Sequence, residues 1–400
     1  MSPMPLGSRR STGGADDAEP KLGFREFNSH DVGSTAKPRK SVWSSYMSLN
    51  PSAVESSVSA TCRAVSEIAD CHILYGVRPE SPDNFIQDFP LPSSSPLGAR
   101  DAINPLRDQA ALRELLALVA KISPDVIHAH SSKAGGLVRL AFPHGKIPIL
   151  YSPRGYSFLR RDIRFINRNA YWLIEKALGA LPHITIGCGL GEYSLARRVA
   201  RSALHIPNMV DLADFNFVPN PTAADPGVGL RVVTAGGIRP QKNFAMFCNV
   251  AASLPNIQFL WIGGGDIPEG VVTPKNVRVT GWLSRTETLS GLSASHVYIQ
   301  TSLWEELPLA MLEAMALGLP VLAKPCVGNT ELLIEGENGF LCGTAESFIG
   351  HLVQLDRERQ LIAEMGAASR RLVEQNHSLA KISPRWRSLY RYYQRYKRHG

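Results

Sequence analysis

Short apolar and β-branched runs alternate along this chain with longer segments whose apolar positions recur every three or four residues. The runs at 126–130, 147–151, 184–186, 230–234, 257–262, 277–280, 296–300 and 320–323 read as strands. The stretches 109–121, 163–178, 244–254 and 309–316 read as helices. Strand–helix alternation predicts βαβ units, and therefore parallel sheets with helices on both faces. So many strands exceed one ordinary open sheet. Residues 211–230 are rich in Pro and Ala and lack periodicity, which marks a linker. The expected architecture is thus α/β, with two doubly wound, Rossmann-like domains over 41–215 and 216–375 facing each other across a cleft. Ligands of such sheets bind at the carboxyl ends of the strands.

Residues 1–40, rich in Gly, Ser, Pro and charge, are expected to be a disordered tail. No run approaches the ~18 apolar residues of a spanning helix, and no apolar core of a secretory signal stands near the start. A cytoplasmic location is the expectation. Cys62, Cys71, Cys188, Cys248, Cys326 and Cys342 are scattered without a C-x-x-C pair and read as reduced, buried thiols.

Charge changes the picture. The net charge is +8, and residues 381–400 alone carry +7, while residues 154–168 carry +4. Arg160, Arg164 and Arg168 are spaced to share a helical face. Trp386, Leu389, Tyr390, Tyr393 and Tyr396 form an aromatic stripe on an amphipathic helix over 376–400 with a basic back. Docking of that stripe on the body and contact of the charge with anionic lipid are both open readings. A nucleic-acid binder would explain the charge, but the sequence offers neither a recognition helix nor a stacking platform, so no nucleic-acid partner is expected.

The most informative segment runs from Glu305 to Leu322. Pro308 suits the first turn of a helix, Gly318 its end, and Pro320 the start of the next strand. Glu305 then lies in the strand-to-helix loop and Glu313 inside the helix. The helix N-terminus, near Leu309 and Ala310, favours a phosphate. Carboxylates on either side suit the hydroxyls of a nucleotide-sugar; a surface-exposed Glu313 is the bland alternative. Earlier, a strand ends in Gly236 and Gly237, followed by Arg239 and Lys242. The glycines allow close backbone approach, and Lys242 can offer a point charge to a diphosphate. His128 and His130 should share one face of their strand, and Arg154 follows the next strand, again on the cleft side. Two histidines without a third ligand of suitable spacing do not suggest a metal.

Glu305 and Glu313 form an E-x7-E pair, and around it "HAHSSKAG" (128–135), "YSPRGYSFL" (151–159), "IPNMVDL" (206–212), "GGIRPQKN" (236–243) and "GENGFLC" (336–342) follow in order. In these the sequence resembles the family 4 retaining glycosyltransferases of GT-B fold, especially bacterial enzymes that build capsular or exopolysaccharide repeat units on a lipid carrier. The resemblance implies hexosyl transfer with retention, without metal or cofactor, from a nucleotide-sugar on the C-terminal domain to an acceptor on the N-terminal one. It implies that Glu305 contacts the donor sugar, Glu313 the ribose, Lys242 the diphosphate, and the N–H groups around Leu309 and Ala310 the phosphate. Gly236, Gly237, Arg239, His130 and Arg154 complete the expected substrate contacts. The chain departs from the family pattern at Gly237, where Arg is usual, at Arg154 in place of His, and at Glu306 in place of Gly. Asn50-Pro51-Ser52-Ala53 stands where the family's first glycine pair belongs.

The leading expectation is a glycosyltransferase acting on a lipid-linked saccharide, associated peripherally with the anionic inner face of the cell membrane. Two alternatives remain at this point. A degenerate relative would bind nucleotide or glycan without turnover as partner of an active transferase, and a sugar-nucleotide epimerase would act without any acceptor.

Overall fold

The structure, a computed structural model, describes residues 39–48, 53–76, 93–97, 105–215 and 229–399. Seven parallel strands form the first sheet: β1 (Arg39–Ser48), β2 (Ala69–Gly76), β3 (Ser93–Leu97), β4 (Ile127–His130), β5 (Ile149–Ser152), β6 (Ile184–Gly187) and β7 (Ala203–His205). Their order is β3-β2-β1-β4-β5-β6-β7. Six more form the second sheet: β8 (Arg231–Ala235), β9 (Gln258–Ile262), β10 (Val277–Val279), β11 (Val297–Gln300), β12 (Val321–Ala323) and β13 (Gly339–Leu341), in the order β10-β9-β8-β11-β12-β13. All pairings within both sheets are parallel. Two Rossmann-like sheets, each with its strand order reversing at an inner strand, give the doubly wound pair that the alternation predicts.

All eight expected strands form, each within two residues of its expected ends. Five others were missed: β1, β2, β3, β7 and β13. β1 and β3 are serine-rich, and β7 and β13 have three residues each, so no apolar run announces them. Pairing with neighbours recruits them. The expected tail of residues 1–40 lies outside the described residues except for Arg39 and Lys40, which belong to β1. Most of the expected linker also lies outside them; its described start is a single 3-10 turn at Leu212–Asp214, capped by the Asp211 carboxylate.

The chain crosses between the sheets twice, side by side. The Val210 N–H donates to His377 O at 2.9 Å, and the Leu379 N–H donates to Val210 O at 2.8 Å. Helix α12 (Leu379–His399) then returns to the first sheet's side and packs on α1 (Ala53–Val65). Ile382, Trp386, Leu389 and Tyr390 join Val58, Ala60, Cys62 and Val65 in one buried cluster, with Tyr393 partly buried against it. The docked reading of the aromatic stripe therefore holds; the Tyr396 side chain is outside the described residues. Its basic back is partly engaged too, since Arg385 donates to His205 O and Arg387 to Ala64 O, each at 2.8 Å.

One helical expectation fails. Helix α4 is Phe165–Leu178, with Arg164 as an extended N-cap residue at ψ 145°, so Arg160, Arg164 and Arg168 do not share a helical face. Arg160 instead pairs with Asp162 at 2.6 Å, and Arg168 donates to Phe158 O at 3.1 Å. All six cysteines are free thiols; five are buried and Cys326 is half-buried. No helix of the described residues is long and apolar enough to cross a membrane.

Candidate active site

On the second sheet, β8 ends at Ala235 and the chain turns through Gly236 at φ 146°. A Cβ there would lie 3.0 Å from Lys242 Cε, so this position needs glycine for its conformation and for the lysine stem that lies against it. A Cβ at Gly237 would stand 2.9 Å from the Trp282 ring and 3.3 Å from Arg239 Nε. Arg239 thus brings its guanidinium to the point from which a residue-237 side chain would start. The turn Pro240–Lys242 closes on Asn243, which has left-handed φ and ψ and opens α6 (Phe244–Ala252).

The loop after β11 is clipped to this turn. The Leu303 N–H donates to Gln241 O at 2.8 Å, Gln241 Nε2 to Trp304 O at 2.9 Å, and Thr301 Oγ1 to Lys242 O at 2.7 Å. These bonds bring Lys242 Nζ to 2.6 Å from Glu305 Oε1, which also accepts from Gln300 Nε2 at 2.9 Å. Helix α8 (Leu309–Ala316) follows, with Pro308 as an N-cap residue whose side chain offers no cap. Leu309, Met311, Leu312, Ala314, Met315 and Ala316 are all buried, as expected of a helix that is apolar all round. Its N-terminus, without a side-chain cap, starts four residues after Glu305, whose carboxylate is held by Lys242.

Glu313 is not a solvated surface carboxylate. It is 7% exposed, and its Oε1 lies 2.7 Å from Arg285 Nη1. Arg285 also stands 3.5 Å from Asp214, whose other oxygen is 2.8 Å from Arg63 on α1. Burial opposes the charge of Arg285, but Glu313 and Asp214 outweigh it and raise its pKa. Sequence reading missed Arg285. A signal for it existed: Ser284 and Glu287 form the capping box of α7 (Arg285–Ser293), which fixes where that arginine sits.

On the first sheet, β4 carries His128 and His130 on one face, their rings stacked 4.0 Å apart. His128 shares hydrogen bonds with Ser152 Oγ at 2.8 Å and with Tyr390 of the returning helix at 3.2 Å. Burial and then neighbouring positive charge hold both imidazoles well below the usual range, so they are neutral near pH 7. Neutral His130 accepts from Arg154 Nε through Nδ1 at 3.3 Å. Arg154 and Gly155 turn at φ 54° and 101°. The Arg154 guanidinium donates to the Asn208 side-chain oxygen, and Asn208 Nδ2 donates to Leu307 O at 2.7 Å, two residues beyond Glu305. The expected residues thus gather in three places. Gly236, Gly237, Arg239, Lys242 and Glu305 form one group, Glu313 pairs apart with Arg285, and His130 with Arg154 reaches across to the α8 loop through Asn208.

Two further acids close the sheets against each other. Glu331, from α9 (Val327–Leu332), accepts from Leu190 N at 2.7 Å and Gly191 N at 2.9 Å, capping α5 (Leu190–Val199) from the opposite domain. Glu306 lies over Gly155, where a Cβ would meet its carboxylate at 2.9 Å. Beneath it, Glu192 accepts from Gly155 N and Cys188 N, each at 2.8 Å. Burial, followed by the charges of Glu192 and Glu305, pushes Glu306 up to about 8. Among the described residues, no group of three His, Cys, Asp or Glu is arranged to hold a metal ion.

Comparison with known proteins agrees with this architecture. The family model "Glycosyl transferase 4-like domain" matches residues 75–208, and "Glycosyl transferases group 1" matches 229–357. The chain is 27% identical over 288 residues to the Escherichia coli UDP-Gal:alpha-D-GlcNAc-diphosphoundecaprenol alpha-1,3-galactosyltransferase, a match covering 65% of this chain and 73% of the relative. Sucrose-phosphate synthase from Thermosynechococcus elongatus superposes with a TM-score of 0.72 over 89% of this chain and 98% of that one, at 19% identity. Anabaena Alr3699/HepE, solved with UDP and glucose, superposes with a TM-score of 0.71 over 88% and 99%, at 15% identity. At those identities the likeness to the solved structures is one of fold. Each half of the described body meets its own glycosyltransferase domain, and the chain is accordingly a glycosyltransferase of GT-B fold, with a 4-like domain followed by a group 1 domain.

Proposed function

We propose that this protein transfers a hexose, with retention, from a nucleotide-sugar on the second sheet to a lipid-linked saccharide on the first. The observation that carries the reading is the Lys242–Glu305 pair at 2.6 Å, set between a two-glycine turn and the uncapped N-terminus of α8. A departing diphosphate needs fixed cations and N–H donors. Lys242, Arg239 and the α8 donors supply both, with Glu305 left to hold sugar hydroxyls once Lys242 turns to the phosphates. Glu313, beside Arg285, suits the ribose. In the transfer the bond from the anomeric carbon to the diphosphate breaks, the acceptor oxygen bonds to that carbon on the same face, and its proton passes to the diphosphate. No metal or cofactor is invoked, and no nucleic acid is a partner in this reading.

Two relatives support the substrates. The E. coli relative is named for UDP-Gal and a diphosphoundecaprenol acceptor, and HepE was solved with UDP and glucose. The position of Arg239 beside Gly237 favours an active enzyme over a degenerate binder, because a cation is retained near the place where the family pattern has its arginine.

A thermal-shift panel of UDP, GDP, ADP and dTDP tests the donor site; a ligand at ~100 times its dissociation constant adds about 2.7 kcal/mol. We expect stabilisation by one nucleotide, then transfer from the corresponding sugar to a lipid-diphosphate saccharide, with the anomeric configuration read by NMR. Stabilisation without transfer or donor hydrolysis would favour the degenerate reading, and no stabilisation at all would remove the donor site.

A further inference from the structure

Helix α4 is inside out. Its inward positions 168, 171, 175 and 178 carry Arg, Tyr, Glu and Leu. Arg168 bonds to Phe158 O, and Glu175 pairs with buried Arg139 at 2.9 Å and accepts from Tyr151 at 2.9 Å. The outward face carries Ile166, Ala170, Leu173 and Ala177, spaced i, i+4, i+7 and i+11, with Phe165 and Ile174 beside them. Exposure reaches 77% at Ile166, 71% at Phe165 and 61% at Leu173. A surface helix normally turns such a face to the core, and a contiguous exposed apolar face marks an interaction site.

The charge around this ridge is of one sign. Arg160, Arg161 and Arg164 are exposed at its N-terminal end, Lys176 near its other end, and Arg197 and Arg198 on the adjacent α5. The acids within 160–177 are Asp162, paired with Arg160, and Glu175, buried with Arg139. An apolar ridge rimmed by cations is complementary to an anionic bilayer, with side chains entering the acyl boundary and arginines meeting the phosphates. Large apolar residues with Lys and Arg at their margin are the composition of helices that lie in a bilayer interface.

We infer that the outward face of α4 is the surface by which this protein lies on an anionic lipid bilayer, with Phe165, Ile166, Leu173 and Ile174 inserted. This deepens the proposed function and rests on its lipid-linked acceptor. α4 starts at the carboxyl edge of the first sheet, joined through residues 155–164 to the Arg154 turn. A membrane under α4 would bring a lipid-borne diphosphate to that edge. The basic C-terminal helix is not required, since its aromatic face is buried against α1.

The test is co-sedimentation of the full chain with vesicles of phosphatidylcholine alone or with added phosphatidylglycerol. Wild type should bind the anionic vesicles, weakening as salt rises. The double substitution Ile166→Asp with Leu173→Asp should lower that binding at least tenfold, and the milder pair Ile166→Ser with Leu173→Ser should lower it less. Nucleotide-induced thermal shift should stay unchanged in both, which separates lost insertion from misfolding. Arg161→Glu with Arg164→Glu should abolish the preference for anionic vesicles. Unchanged vesicle binding by the Asp pair overturns the inference, as does a wild-type dimer that this pair dissociates, because a second copy then covers the face. Vesicle binding that behaves as expected in a protein without transferase activity leaves the surface standing and sinks the proposed function alone.

Discussion

The two walls of the cleft handle charge in opposite ways. The second sheet stores it as ion pairs, Lys242 with Glu305 at 2.6 Å and Arg285 with Glu313 at 2.7 Å. Where the first sheet faces the cleft, charged side chains meet neutral partners instead: His128 and His130 are neutral, Glu192 accepts from backbone N–H groups, and Arg154 is held by an imidazole and an amide. A half-buried ion pair is a loaded arrangement, because an incoming diphosphate can take the cation while hydroxyls take the carboxylate, and neither charge is left unpaired. A wall whose charged side chains are already satisfied by neutral partners suits an acceptor whose reacting group is a hydroxyl. The difference argues that specificity for a charged leaving group resides on one wall only.

The largest expected effect breaks the charged wall. If Lys242 meets the leaving diphosphate, Lys242→Ala removes a fixed cation from it and should lower kcat roughly 10²-fold or more, comparable with loss of one preorganised donor. Glu305→Gln should also lower kcat, since it removes the partner that fixes the lysine. Steady-state kinetics with the donor found in the nucleotide panel checks both, and a Lys242→Ala variant with unchanged kcat would erase the distinction between the walls.

A second experiment sharpens the comparison within the charged wall. If Glu313 binds the ribose, Glu313→Ala should raise donor KM by roughly 10- to 100-fold, the loss of a hydrogen bond to a charged group, with little change in kcat. Arg285→Ala should raise KM less, because it frees Glu313 rather than removing it, and Arg285→Lys should recover part of the loss. A fall in kcat alone would move Arg285 from a positioning role to the reaction itself.

The smallest effect concerns the contact between the walls. Glu306 is pushed up from its ordinary 4.5 to about 8, so between those values the folded state holds a proton that the unfolded state has released. Stability should therefore fall as pH rises through that window. Thermal melts from about pH 5 to pH 8 should show a steeper fall in Tm for wild type than for Glu306→Gln. Parallel curves would mean that the Glu306 carboxyl does not feel the opposite wall.

Much of the site around Lys242 and Glu305 was legible in the chain. Pro308, Gly318 and Pro320 delimit α8 within a residue or two, and its eight-residue carboxylate spacing is local. The Gly-Gly turn and Lys242 lie within one βα connection, so backbone geometry alone brings them to the strand end. The first sheet's side of the cleft was legible only in outline. Asn208, Glu192 and Glu331 act through partners 54, 37 and 140 residues away; Asn208 stands in the quoted motif at 206–212, but no motif announces which residue each of the three will meet.

Helix α4 shows where the division falls. The sequence by itself determined that residues near 163–178 form a helix with two chemically distinct faces, because a period of 3.6 is a property of the chain. It likewise determined the two parallel sheets, from the alternation of elements. Which face of α4 turns inward was decided by the tertiary structure, where buried Arg139 and Tyr151 offer Glu175 a charge partner and a donor that water-facing positions do not. The aromatic stripe of α12 went the other way for the same reason: α1 presents an apolar groove that takes Trp386 and Tyr390 out of water. Periodicity specifies how many faces a helix has. The partner it meets in the fold specifies which of them is buried.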